Sequence, residues 1–174
     1  FVVNDLRNAA NNPDIKWIIV TMHSPFYSSP NTFKEFDCGG DEACQLYHPL
    51  FDKYGVDLVL QGHVHNYERS FPLKFNQATP SNPIVTSTMK TDYENPDGEI
   101  FAIVGTGGVN LHGLSDSAPF IASQQDSNFG ILDIHISDNK LDAKFVTNDG
   151  VTDDHFSVSK TAKKKIIERI SDNI

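Results

Sequence analysis

The sequence predicts one α/β domain, and three features carry that prediction. Apolar runs at 15–22, 56–60 and 100–104 read as strands buried on both faces. A helical repeat lies between the first two. From residue 132 onward apolar and polar residues alternate, as in antiparallel strands with one wet face. A chain of 174 residues is long enough to bury most of its apolar surface in a single domain.

The elements follow in order. Val2, Val3, Leu6, Ala9 and Ala10 recur at helical spacing with no capping residue before them. A helix over 1–10 is expected, and with it a polypeptide upstream. Ile15 to Met22 is the first strand, followed by a polar, Pro/Ser-rich loop to about Gly40. Ala43, Leu46, Tyr47, Leu50, Phe51 and Tyr54 then return at helical spacing, with Gly55 where a C-cap belongs. Val56 to Leu60 is the second strand. Residues 66–99 are proline-punctuated and turn-rich, with short strands expected near 69–73 and 84–86. The third run, Ile100 to Val104, closes in Gly105-Thr106-Gly107-Gly108. Leu132, Ile134 and Ile136 alternate with Asp133, His135 and Ser137; 141–147 and 155–159 are expected as antiparallel partners, with a tight turn at Asp138-Asn139. The domain is assigned to 1–160. At 161–174, Lys163-Lys164-Lys165 leads into Ile166, Ile167, Ile170 and Ile174, an amphipathic helix or a linker.

Composition narrows the function. With 14 Lys+Arg against 23 Asp+Glu, the net charge of −9 argues against a nucleic-acid partner. No apolar run reaches the ~20 residues of a membrane span. An acidic protein can still act on a phosphate ester if something local and positive neutralises it, most naturally a metal. Cys38 and Cys44 bracket a short polar segment. Their spacing suits a small loop-closing disulfide in an extracellular or cell-surface protein, with two free thiols as the alternative.

Two of the buried strands finish in histidine. One ends Val20-Thr21-Met22-His23, the other Leu60-Gln61-Gly62-His63-Val64-His65. In open α/β sheets ligands bind at the carboxyl ends of strands, so neighbouring strands would bring His23, His63 and His65 together. Gly62 permits a positive φ just before the pair. His63 and His65, two apart in an extended segment, share a side with Cα atoms about 7 Å apart. That spacing serves one ion, or two ions ~4 Å apart. Imidazole suits Zn, Fe or Mn. His48 and His135 read most simply as surface residues and His155 as part of a polar turn. His112, shortly after the glycine turn, could overhang the crevice.

The segment Asp57-Leu58-Val59-Leu60-Gln61-Gly62-His63-Val64-His65-Asn66-Tyr67-Glu68-Arg69-Ser70 resembles the calcineurin-like metallophosphoesterases. Gly-His-x-His belongs to the wider superfamily, and the Tyr-Glu-Arg after it is similar to the purple acid phosphatase branch. Trp17 to Tyr27, with His23-Ser24-Pro25, resembles the family's His-x-Pro strand, and Gly105 to Gly108 its later glycine turn. The resemblance implies the C-terminal half of a two-sheet α/β/β/α sandwich whose N-terminal βαβ part is absent from this sequence. It implies hydrolysis of phosphate monoesters at a dinuclear site, with iron paired with zinc, manganese or iron. His23 and His63 would hold one ion and His65 the other.

The same resemblance requires upstream ligands: an Asp, a bridging Asp with a Tyr, and an Asn-His pair. Asp57 lies about 20 Å from His63 along an extended chain and Glu68 is not a ligand in the family, so neither replaces them. The chain reads as half of a site, inactive alone, partnered by the missing half of its own domain. Two other functions are open: an inactive structural module of a larger assembly, and a mononuclear three-histidine zinc site.

Overall fold

The computed structural model describes residues 1–30 and 36–161. Residues 162–174, and with them nearly all of the expected C-terminal helix or linker, lie outside the described residues.

Helix α1 spans Val2–Asn11 and buries Leu6 and Ala10, one turn apart. Strand β1 is only Ile19–Thr21, shorter than its apolar run. The reason is local: the Ile18 N–H goes to the Asp57 carboxylate at 2.9 Å, so the sheet ladder starts one residue later. Helix α2, Glu42–Tyr54, is fixed at both ends. The Asp41 carboxylate accepts from the N–H groups of Ala43 and Cys44, and Gly55 takes the left-handed conformation with φ 69°. A single turn of 3₁₀ helix at Cys38–Gly40 precedes it, and Cys38 is disulfide-bonded to Cys44 with Cα atoms 5.3 Å apart.

Five strands make the first sheet in the order β1–β2–β7–β3–β8, with β2 at Leu58–Gln61, β3 at Tyr67–Ser70, β7 at Ile100–Val104 and β8 at Ile121–Gln125. The pairs β1–β2 and β2–β7 are parallel, while β3 runs antiparallel to both β7 and β8. The second sheet has the order β6–β11–β10–β9, with β6 at Asp92–Glu94, β9 at Gly130–Ile136, β10 at Lys140–Thr147 and β11 at Thr152–Ser159. A small hairpin pairs β4 (Leu73–Lys74) with β5 (Ile84–Val85). Asp138-Asn139 lies in the β9–β10 connection, as expected. His155 is in strand β11 rather than a polar turn.

Period-two alternation explains why the central runs read as apolar throughout. Val59 and Phe101 face α1 and α2, packing with Leu6, Phe51 and Tyr54. Leu58, Ile100 and Ala102 face the other way and pack on Leu141, Ala143, Phe156 and Val158 of the second sheet. The described residues are thus layered α/β/β, a mixed α/β fold. The second sheet is tied to the first at its far end by Lys160, whose ammonium donates to Asp57 at 2.7 Å and lies 4.3 Å from the Trp17 ring centroid.

Candidate metal centre

The carboxyl ends of β1 and β2 meet as the parallel pairing requires. The ladder continues past the strands through Met22 N–H to Leu60 O and Gly62 N–H to His23 O. His23 therefore comes level with the start of the Gly62-His63-Val64-His65 turn. His23 Nε2 lies 3.0 Å from His63 Nδ1, with the rings edge to face at 5.0 Å between centroids. The turn differs from expectation in one respect. The residue with left-handed backbone is His63, at φ 65°, not Gly62. A side chain there costs about 1 kcal/mol and persists where surrounding structure imposes it. Val64, the next residue, is fully buried, and its N–H bonds to Gly62 O at 2.8 Å.

His65 turns to a different partner. Its ring stacks on His112 with centroids 4.2 Å apart, and its Nδ1 lies 3.0 Å from Asn110 O. The backbones are linked as well: His112 N–H donates to His65 O at 2.8 Å, and His65 N–H to His112 Nδ1 at 3.2 Å. Burial, then the neighbouring His65 and His63, hold the His112 imidazole below its ordinary range. His112, expected from the sequence as able to overhang the crevice but not among the ligands, is thus part of the cluster. Its one signal was its place after the glycine turn at the end of β7.

The cluster is two neighbouring imidazole pairs, not one point of convergence. Among the described residues, His23, His63 and His65 do not bring their ligand atoms all within 4.8 Å of one another, and no Asp or Glu joins them in such a group. Glu68 is buried and used elsewhere, accepting from Ser29 N–H at 2.6 Å and from Asn66 Nδ2 at 3.0 Å. Asp57 is spent on Ile18 N–H and Lys160.

A second group of metal-ligand type lies in the core, and here the structure corrects the sequence reading. His48 is not a surface residue but fully buried, 0% exposed. Its Nδ1 is 2.8 Å from Tyr27 Oη and its Nε2 3.1 Å from Glu99 Oε1. With Asp52, one helical turn on, His48 and Glu99 place a ligand atom each within 4.8 Å of one another. Burial depresses the His48 imidazole to about 3 and raises the Asp52 carboxyl, the latter against the pull of the Phe75 N–H.

A family model described as calcineurin-like phosphoesterase matches residues 3–67. Probable inactive purple acid phosphatase 1 of Arabidopsis thaliana is 32% identical over 154 residues, covering 83% of this chain and 23% of that protein. Phosphoenolpyruvate phosphatase of Allium cepa is 35% identical over 121 residues, or 66% of this chain and 23% of that protein. A purple acid phosphatase from yellow lupin (Lupinus luteus) seeds has the same fold, with a TM-score of 0.73 at 25% identity, covering 90% of this chain and 28% of that one. The chain spans less than a quarter of the length of those two curated relatives. A histidine-bearing turn at the tips of parallel strands, in a chain matching these proteins along most of its length, makes it a purple acid phosphatase-like member of the calcineurin-like phosphoesterases, of a size that fits a C-terminal part.

Proposed function

We propose that this chain supplies the histidine half of a dinuclear transition-metal centre that hydrolyses phosphate monoesters. His23 and His63 serve one ion and His65 the other, with iron paired with zinc, manganese or iron. The observation that carries the reading is the division of the cluster: His23 and His63 face each other at 3.0 Å while His65 turns to His112. Imidazole donors fit such ions. The split arrangement favours two ions over a mononuclear three-histidine zinc. When bound, the ions supply the positive charge that a phosphate needs beside a chain of net charge −9, and they activate water.

The chain's own residues position and orient. Strand tips fix His23 and His63, and the His112 stack and Asn110 carbonyl set the plane of His65. Hard, multiply charged ions held close together also need bridging oxygen donors, and among the described residues no carboxylate joins these histidines in a group of metal-ligand spacing. The reading therefore places the carboxylate ligands on polypeptide outside these 174 residues, with this chain inactive by itself. An extracellular or cell-surface setting accords with the Cys38–Cys44 disulfide.

The missing carboxylates also favour a second reading, an inactive structural module, and one relative carries "probable inactive" in its name. Metal content and aryl phosphate turnover of the whole protein separate the two. Two equivalents of metal, and a loss of about 100-fold or more in turnover for His63→Ala, are expected. Turnover equal in His63→Ala and the parent, with metal bound in both, overturns the proposal. Absence of both metal and turnover leaves the structural module.

A further inference from the structure

The group of His48, Asp52 and Glu99, the first and last buried and Asp52 part-buried, has no part in that reading. Glu99 immediately precedes β7, while the glycine turn beside His65 follows it, so the two groups lie about 20 Å apart along the strand. His48 and Asp52 are spaced i, i+4 on α2 and share one face of the helix. Around them are Phe75 and Phe101, whose ring centroids are 5.6 and 5.0 Å from that of His48. His48 and Glu99 are 0% and 1% exposed.

Charge is the difficulty. A neutral imidazole and two ionised carboxylates would put negative charge on the buried Glu99 and the part-buried Asp52, with the Lys74 ammonium, itself paired to Asp97, acting on both from the surface; that is costly unless a positive group stands between the two carboxylates. Within the group, Asp52 Oδ2 is satisfied by the Phe75 N–H at 2.9 Å, while the buried Asp52 Oδ1 finds no donor except through the Glu99 carboxyl. Glu99 lies beside it, and two carboxylates bond to each other only if one keeps its proton. His48 Nε2 is 3.1 Å from Glu99 Oε1, yet the pair is not aligned as a hydrogen bond. Two donors each about 2.1 Å from one tetrahedral ion stand about 3.4 Å apart and out of line, close to the arrangement of this pair. The other ring nitrogen faces Tyr27 Oη. An Nδ1–H donated there leaves the Nε2 lone pair turned to the carboxylates, the usual support of a histidine ligand.

We propose that His48, Asp52 and Glu99 form a closed, structural site for a divalent metal of the zinc type. The ion joins α2 to the start of β7. It neutralises both carboxylates and takes the Nε2 lone pair, with a second oxygen of a carboxylate or an enclosed water completing four-coordination.

The test uses the whole protein with His23, His63 and His65 all changed to alanine, which removes the strand-tip ligands and makes the outcome independent of the proposed activity. Zinc is the probe. After dialysis against chelator and reloading, about one equivalent is expected to remain bound, with Tm raised about 5 °C or more at a hundredfold excess over Kd. X-ray absorption should show one imidazole and otherwise oxygen donors at about 2.0–2.2 Å. In the same background Asp52→Asn and Glu99→Gln, which keep side-chain volume, should each abolish the bound equivalent. The absorption spectrum needs neither variant, so it decides even if both fail to fold. A dialysed protein that takes up no zinc and shows no shift in Tm overturns the proposal, as does bound zinc with two or more imidazoles. Zinc retained undiminished in both folded variants overturns it as well.

Discussion

Gly105→Ala offers a direct measure of how the strand-tip turn is held. Gly105 is not in the left-handed region, so the effect would come from contact alone. A Cβ there would stand 1.9 Å from Val64 O, 2.8 Å from Val64 C and 3.1 Å from His65 Cα. All three are backbone atoms, and real Cβ contacts of this kind essentially never fall below 3.0 Å, so the Val64 carbonyl or Gly105 itself must give by about 1 Å. Gly105 N–H donates to Asn66 O at 3.0 Å, which opposes withdrawal of β7 and directs the displacement into the 63–65 segment. Overpacking of this size costs about 1–3 kcal/mol. For a chain of this length that lowers Tm by about 2–12 °C. Gly107→Ala is the control, since a Cβ there meets nothing within 4 Å and its φ is not positive. Thermal melting of both variants, with metal content by elemental analysis, is the assay. Misplacing ligands by about 1 Å can also lower turnover of the whole protein by about 10²-fold. Equal Tm and equal metal content in Gly105→Ala and Gly107→Ala would refute the claim that close backbone approach positions the turn.

Three further outcomes are expected. His63→Gly relieves the left-handed backbone at φ 65°, so chemical denaturation should show stability held or raised by up to about 1 kcal/mol while metal content falls. Asp154→Asn should cost about 3–5 kcal/mol in urea unfolding, because it leaves the buried Arg69 without its bidentate partner. Burial alone would raise the Asp154 carboxyl, but Arg69 and Tyr67 together hold it below the usual carboxylate range. Its stabilisation is therefore present above about pH 4, is lost as pH falls below that, and should vanish from the acid limb of the variant's stability profile. Reduction of Cys38–Cys44 should lower stability by about 2 kcal/mol in a melt with reductant, and Cys38→Ser with Cys44→Ser should reproduce the loss.

The contrast between the two histidine groups shows what a linear pattern conveys. The placement of His23, His63 and His65 at neighbouring strand tips is legible because each follows an apolar strand run, and strand ends of a parallel sheet converge by topology. His48 was not, because the helix was read through its apolar residues alone. The buried positions of α2 are Cys44, His48, Phe51 and Tyr54, a single stripe at helical spacing with a histidine in it, whereas Leu46 is 59% exposed. What decides the burial of His48 is its partners, Tyr27 and Glu99, at sequence separations of 21 and 51, and no periodicity reports them. Strand β6 escaped for a related reason: three residues, Asp92-Tyr93-Glu94, gain their strand character only from the parallel pairing with β11. Strand β8, Ile-Ala-Ser-Gln-Gln, is an edge strand without apolar alternation. Its Gln124 and Gln125 pair with Glu68 and Tyr67 of β3.

The two charged residues after Gly-His-x-His have opposite tasks in holding this turn. Glu68 and Arg69 are adjacent on β3, so the pleat sends them to opposite faces, and both are 1% exposed. Glu68 reaches the loop that leaves His23, taking the Ser29 N–H at 2.6 Å and fastening that loop to the strand that follows His65. Burial raises its carboxyl, and the Ser29 and Asn66 donors work against that rise. Arg69 reaches the other way, into the second sheet, where Asp154 takes two of its N–H groups and the Phe156 ring lies 4.6 Å from the guanidinium carbon. Tyr67 shares that face with Arg69: its hydroxyl donates to Asp154 at 2.7 Å and its ring stacks on Phe145 at 4.1 Å. A strand with hydrogen-bonded polar side chains buried on both faces is held in register from both sides. A slip of one residue would turn Glu68 toward Asp154 and Arg69 toward the Ser29 N–H, leaving two carboxyl groups together and a donor against a donor. The residues next to the histidines are therefore the frame that keeps the His23 loop, the Gly-His-x-His turn and the second sheet in one arrangement.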